Sequence, residues 1–316
     1  MYQSYVYIEA RIQLPFSGNV FETNPETSRI TVNPDVLGKV LPLSRALSCR
    51  IPELSDIEHI TGALNIPENA ENFTGYSIKL AESGFMNLSF HSRQKTIKIN
   101  SVRIEEDAGH LTHANGNNRM DYSSLGSPSI RIITEPSFEL GEEVQLFLEE
   151  LRRLSQYLHL TEDSSGDKYI RCNAYVSLAQ YPEKSTYFIK LKNLNSFNFA
   201  RKAVNTELTR LENMLTTGEK VTSESRLWNE HKGCTEFYQE RANNPQQFEK
   251  LNPPQTFNIS NAIKALPVQT EVELPEARRL RFKRQYGVSR LRAEFCATIK
   301  TGQIFLKKPS ALEQNR

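Results

Sequence analysis

YVYIEARIQL, residues 5–14, sets how the rest of the chain is read. Ile8, Ala10, Ile12 and Leu14 share one parity, and Glu9, Arg11 and Gln13 share the other. Successive side chains of a strand point to opposite faces, so a period of two predicts a β-strand with one apolar and one charged face. The alternation returns in TIKI (96–99) and VRIEE (102–106), and the phase break at Asn100–Ser101 predicts a bulge. IRIIT (130–134) is a further strand. In YIRCNAYVSL (169–178), Ile170, Cys172, Ala174, Val176 and Leu178 alternate with Arg171, Asn173, Tyr175 and Ser177. In YFIKLK (187–192), Tyr187, Ile189 and Leu191 alternate with Phe188, Lys190 and Lys192.

Two longer stretches carry the helical period instead. In EEVQLFLEELRRLSQYLHL (142–160), Val144, Leu148, Leu151, Leu154 and Leu158 advance by 4, 3, 3 and 4, and the acids precede the arginines as the helix dipole prefers. In NSFNFARKAVNTELTRLENMLTTG (195–218), Val204, Leu208, Leu211 and Leu215 do the same, with Gly218 as the stop. ELPEARRLRFKRQYG (273–287) opens a last, basic helix with Pro275 in its first turn. Residues 1–135 read mainly as strands and turns, HANGNN (113–118) as a turn, and 52–75 and 245–275 as loop or Pro-rich connection. The sum predicts an α+β fold: a large, mainly antiparallel sheet with helices packed against it.

Composition narrows the function classes. The chain has 316 residues, 38% of them apolar, and a formal charge of +2, enough for one large domain or two smaller ones. No run is long and apolar enough to span a membrane, and MYQSYVYIEAR does not read as a signal peptide. Cys49, Cys172, Cys234 and Cys296 are widely spaced, which predicts free thiols in a reducing, cytoplasmic setting. His110 and His113 lack the further ligands a zinc site needs, so no metal centre is predicted. From Pro275 to Arg316 there are eleven Lys or Arg against three Glu. That bias points to an anionic partner such as nucleic acid, or to a solvated helix.

Chemistry concentrates in IEEDAGHLTH (104–113), where Glu105, Glu106 and Asp107 adjoin. Like charges this close call for a cation or for bulk water. Strand parity puts Glu9 with Arg11, Arg103 with Glu105 and Asp107, Arg171 with Asn173 and Tyr175, and Lys190 with Lys192. Side by side, these strands would form one charged floor. Periodicity alone makes that floor the water side of the sheet.

IEEDAGHLTH, IRIITEPS (130–137), RCNAYVS (171–177), KLKNLNSFNFARKAV (190–204), ESRLWNE (224–230) and ELPEARRLRF (273–282) occur in an order that resembles the B subunit of the aspartyl/glutamyl-tRNA amidotransferase. The resemblance covers roughly residues 5–295 and is most specific in KNLNSF followed by RLW. It implies an antiparallel catalytic cradle over residues 1–270, with 271–316 a basic remnant of a helical domain. It also implies activation of misacylated Glu-tRNA or Asp-tRNA with ATP and Mg²⁺. Amidation would follow, with the glutaminase subunit and the small linker subunit of that amidotransferase as partners. Localisation would be cytoplasmic, or mitochondrial in a eukaryote.

Departures from the family pattern share a direction. Glu9, Glu105 and Glu106 are kept as candidate catalytic acids. Arg11 and Arg103 stand where the family has histidines; Arg131 and Lys190 stand where it has glutamates. Ser123 and Ser124 replace an Asn–Arg pair, Asn173 replaces an Asp, and Tyr175 an Asn. Mg²⁺ wants oxygen ligands, and these changes substitute cations for them. The expectation is that the acids face arginines rather than a metal. A catalytically impaired homologue with a binding role is preferred to a divergent working enzyme, which alone would need Mg²⁺ and ATP, and to new chemistry on the same scaffold. Arg278, Arg279, Arg281, Lys283 and Arg284 are the candidate nucleic-acid contacts.

Overall fold

The computed structural model describes residues 2–16, 18–60, 75–90, 93–106, 110–114, 117–121, 126–161, 169–180, 185–240, 248–267, 273 and 275–289. Its strands are β1 (Tyr2–Gln13), β2 (Phe21–Thr23), β3 (Ile30–Val32), β4 (Leu54–Ile60), β5 (Tyr76–Phe90), β6 (Arg93–Glu106) and β7 (His110–Ala114). They continue as β8 (Asn117–Asp121), β9 (Pro128–Thr134), β10 (Ile170–Gln180), β11 (Ile189–Lys192), β12 (Glu224–Asn229), β13 (Cys234–Glu240) and β14 (Phe248–Asn258). The helices are α1 (Pro34–Ala46), α2 (Gly141–Tyr157), α3 (Phe197–Thr216), α4 (Ile259–Ala265) and α5 (Pro275–Tyr286).

Ten strands form one sheet in the order β13-β12-β11-β10-β1-β9-β6-β5-β4-β14, while β2/β3 and β7/β8 are separate two-stranded ribbons. Every pairing in the large sheet is antiparallel except β11 with β12. A parallel pair needs a crossover, and α3 supplies it. The fold is therefore the predicted α+β arrangement.

Register explains the core. Ile170, Ile12, Ile130, Ile104, Ile78 and Ile57 pair in succession across β10, β1, β9, β6, β5 and β4. Five of the six are no more than 1% exposed, and Ile170 is 5% exposed. Each buried isoleucine contributes up to about 1.5–3 kcal/mol relative to exposure. Against this face pack Val144, Phe147, Leu148 and Leu151 of α2 and Ala200, Ala203, Val204 and Leu211 of α3. Leu154 and Leu158, on the predicted stripe, are only partly covered.

Helices α2 and α3 approach unusually closely at Gly141, where an added Cβ would lie 2.2 Å from the Arg201 carbonyl oxygen. The Gly141 N–H donates to Asn205 Oδ1 at 2.8 Å, which orients the start of α2. Glu143 reaches back to accept the N–H of the cap residue Leu140 at 3.4 Å and that of Glu139 before it at 2.7 Å, which closes the helix start. Gly218, at φ +79°, follows the α3 cap as predicted.

Three stretches differ from the sequence reading. Helix α1 lies within the region read as strands; its Val36, Leu37, Val40, Leu41 and Leu43 are buried, with Asn33 capping the Asp35 N–H. Pro34, Gly38 and Pro42 obscure its helical period. Strand β4 occupies part of the expected 52–75 loop, of which 61–74 lie outside the described residues. Strand β14 and helix α4 occupy most of the expected 245–275 connection. β14 tolerates Pro253 and Pro254 because it is an edge strand with a register shift between Lys250 and Gln255.

Candidate functional site

On the sheet face opposite the isoleucines, Arg171, Arg11, Arg131 and Arg103 pair in succession across β10, β1, β9 and β6. The register ends on Lys79 of β5. Paired residues share a face, so this is a line of cations across adjacent strands. The bulge predicted at Asn100–Ser101 makes the line possible. The β6–β9 register shifts between Ile99 and Ser101. Apolar parity in β6 thereby changes from Ile97 and Ile99 to Val102 and Ile104, freeing Arg103 and Glu105 for the polar face.

Glu105 holds the centre and is 0% exposed. Its Oε2 accepts from Arg11 Nη2 at 2.8 Å and from Arg131 Nε at 3.0 Å, and Arg131 Nε is also 3.0 Å from Oε1. Arg103 donates from Nε to Ser77 Oγ at 2.9 Å and from Nη2 to Glu58. Phe248 of β14 roofs this part, its ring centre 3.7 Å from the Arg103 guanidinium carbon and 5.1 Å from that of Arg131. Such cation–π contacts strengthen when water is excluded. Glu9 lies 3.8 Å from Lys190 Nζ, and Lys190 sits 5.1 Å from the Tyr175 ring centre. Tyr175 stacks on Tyr7 at 4.3 Å and 5°.

This face is not the water side that periodicity alone indicates: Glu9, Arg103, Glu105, Arg131 and Tyr175 are all buried. Burial pulls the Arg103 pKa down from its ordinary value, partly offset by Glu58 and Glu105. Burial also opposes the charge on Arg131, but Glu105 and then Glu9 outweigh it and raise its pKa. Both guanidiniums stay protonated.

The predicted site residues divide. Glu9, Arg11, Arg103, Glu105, Arg131, Tyr175 and Lys190 converge, with half-buried Asn173 and exposed Arg171 at the rim. Glu106 turns away, accepting the Tyr76 N–H at 3.1 Å, and burial raises its pKa. Asp107, Ser123 and Ser124 lie outside the described residues. On α5, Arg278 stacks 5.3 Å from the Phe282 ring centre. Arg281 donates to Glu273 at 2.6 and 2.8 Å. Lys283 and Arg284 are exposed, and the Arg279 side chain is outside the described set.

Sequence reasoning missed Glu58, Ser77 and Phe248. Glu58 and Phe248 fall in stretches read as loop, and the parity of SDIEHI (55–60) was the available signal for β4.

A hard divalent ion needs several convergent oxygen ligands. Here Glu105 accepts two guanidiniums, Glu9 adjoins Lys190, and no three His, Cys, Asp or Glu side chains among the described residues could hold a metal. The described residues do not fit Mg²⁺.

The model of the GatB/GatE catalytic domain family matches residues 24–257. The B subunit of the aspartyl/glutamyl-tRNA(Asn/Gln) amidotransferase of Thermosipho melanesiensis is 30% identical over 81% of this chain and 55% of its own length. Its counterpart in Methanospirillum hungatei is 32% identical over 82% of the chain and 54% of its own length. That of Synechococcus sp. (strain JA-3-3Ab) is 27% identical over 91% and 64%. The chain thus spans little more than half the length of most of these curated relatives. On the match to most of its length and the identity with these relatives, the chain belongs to the GatB/GatE catalytic domain family.

Proposed function

We propose that the chain is a catalytically impaired relative of the amidotransferase B subunit that keeps the cradle for binding or scaffolding. The observation that carries this reading is the Glu105 carboxylate, enclosed and engaged by Arg11 and Arg131. A carboxylate whose oxygens already accept from two guanidiniums is a poor ligand for Mg²⁺, and ATP-dependent activation of a tRNA-linked carboxylate relies on that ion. In this reading residues 1–270 are the cradle and 271–316 a basic segment that approaches the tRNA acceptor end through Arg278, Arg281, Lys283 and Arg284. The glutaminase subunit and the small linker subunit of the amidotransferase are the partners that kinship suggests. No helix among the described residues is long and apolar enough to cross a membrane, which is compatible with a place in the cytoplasm.

The test is tRNA-dependent ATP hydrolysis by the pure protein with and without Mg²⁺. No tRNA-stimulated hydrolysis is expected, and the double reversion Arg11→His with Arg103→His should not create it. Mg²⁺-dependent turnover that disappears in Glu105→Ala would establish the alternative, a divergent working enzyme.

A further inference from the structure

We infer that a half-open cavity between α3 and the β12–β13 turn binds a free α-amino acid with an apolar side chain. The carboxylate of that ligand faces Lys202 and the Trp228 indole N–H, and its ammonium faces Glu230.

The cavity is separate from the charged floor. Leu191 of the apolar face pairs with Arg226, and Trp228 shares that parity on β12, so Trp228 lies on the helical side of the sheet. The cavity measures about 430 Å³ and is lined by Phe199, Lys202, Thr206, Trp228, Glu230 and Gly233, with Asn205 closing the α3 wall. Small-molecule sites commonly span about 300–1,000 Å³, with apolar walls and a few convergent polar groups.

Its walls are built in advance. Asn205 accepts the Gly141 N–H at 2.8 Å and donates to Glu142 at 3.0 and 3.1 Å. On the other wall Asn193 donates to the Trp228 carbonyl at 2.9 Å. The turn is pinned by the Gly233 N–H on the Asn229 carbonyl at 2.9 Å and by the Lys232 N–H on Asn229 Oδ1 at 3.1 Å.

Two observations select the ligand. Trp228 is 3% exposed, and its indole nitrogen is buried with no acceptor among the described residues. Buried indole N–H groups normally find one, and a carboxylate oxygen in the cavity supplies it. Lys202 and Glu230 are exposed, come from opposite walls, and form no ion pair with each other or with another described residue. An anion alone would leave Glu230 opposed, and a cation alone would leave Lys202 opposed. A zwitterion meets both. The Phe199 and Trp228 rings, 6.4 Å apart between centres, offer its side chain an apolar wall.

Trp228 is the one tryptophan of the chain, so its emission reports on this cavity directly. The experiment is titration of the full chain with L-leucine, read by indole emission and by calorimetry. Saturable binding is expected in both, and glycine should bind more weakly. Lys202→Gln and Glu230→Gln should each weaken leucine on the order of tenfold, the loss of one charge-assisted contact. Both side chains are exposed, so an unchanged urea midpoint will show that the variants fold. N-acetyl-L-leucine lacks the ammonium and should bind weakly with no response to Glu230→Gln; L-leucinamide lacks the carboxylate and should bind weakly with no response to Lys202→Gln. Trp228→Phe, which keeps a ring without the N–H, should also bind leucine more weakly by calorimetry. No saturable heat, heat without a change in Trp228 emission, or affinity unmoved by both charge substitutions would overturn the inference. So would either leucine derivative binding as tightly as leucine itself, which would make the cavity a site for a simple anion or cation.

Discussion

Replacing Glu105 by Gln tests the centre of the site, because it keeps the shape and removes the charge. Arg131 then remains enclosed, its side chain 10% exposed, with its nearest counter-charge gone. Breaking a buried pair from one side typically costs about 3–5 kcal/mol. Arg11, at 29%, can turn towards water and recover part of that, so the lower end, about 3 kcal/mol, is the expected loss. Arg131→Met should cost less, about 1–3 kcal/mol, since Arg11 still accompanies Glu105 and no carboxylate is stranded.

The double variant is the informative one. With both charges removed nothing is stranded, so it should be no less stable than Glu105→Gln alone. The coupling should be at least about 1 kcal/mol and favourable to the native pair. Urea unfolding reads all three midpoints, provided the slope is unchanged. As a control, Glu150→Gln at the exposed Arg153 pair should cost under about 1 kcal/mol. Additive losses, or a Glu105→Gln cost no larger than the control's, would refute the idea that the arginines neutralise a buried acid.

Other outcomes follow from the same geometry. Glu106 has a folded pKa above its ordinary 4.5, so the native state holds its proton longer than the unfolded chain does. Its contribution is favourable at low pH and is lost as pH rises from about 4.5 upward, so Glu106→Gln should gain on the parent across that window in pH-dependent unfolding. Gly141→Ala should destabilise by about 1–3 kcal/mol, because the new methyl meets a backbone carbonyl; an unchanged melting midpoint would mean that α2 and α3 can separate freely there. Charge reversal at Arg278 and Lys283 should weaken RNA binding and flatten its salt dependence. The expected change in slope is about 0.9 per lost duplex phosphate contact, or about 0.7 on a single strand. An unmoved slope would make α5 a solvated helix only.

How legible the fold was depended on which period each segment carried. Strands β1, β6, β9, β10 and β11 were readable because one face of each is largely apolar, down to the bulge at Asn100. Helices α2 and α3 were readable from leucines at the helical period, with a glycine stop for α3. Helix α1 was not, since Pro42 lies inside it and its buried set runs almost continuously from Val36 to Ser44, which blurs any period. β14 carries consecutive prolines in an edge strand, where local sequence argues for a connection and only its pairing with β4 argues otherwise.

The site was legible as residue types and not as an arrangement. Alternation assigns a face to each side chain, yet says nothing of register, and one residue of slip would send every arginine to the core side. Only pairing aligns Arg171, Arg11, Arg131 and Arg103. Once aligned, they cannot all be solvated beneath Phe248, and a buried guanidinium requires an acid or a ring face beside it. That requirement identifies the partners the linear reading lacked: Glu58 for Arg103, Phe248 for Arg103 and Arg131, and Lys190 beside Glu9. It also gives the acid run a physical division of labour. Glu105 accepts from two arginines on one face, while the adjacent Glu106 accepts a backbone N–H on the other. Two neighbouring carboxylates on opposite faces of one strand cannot chelate a single ion between them.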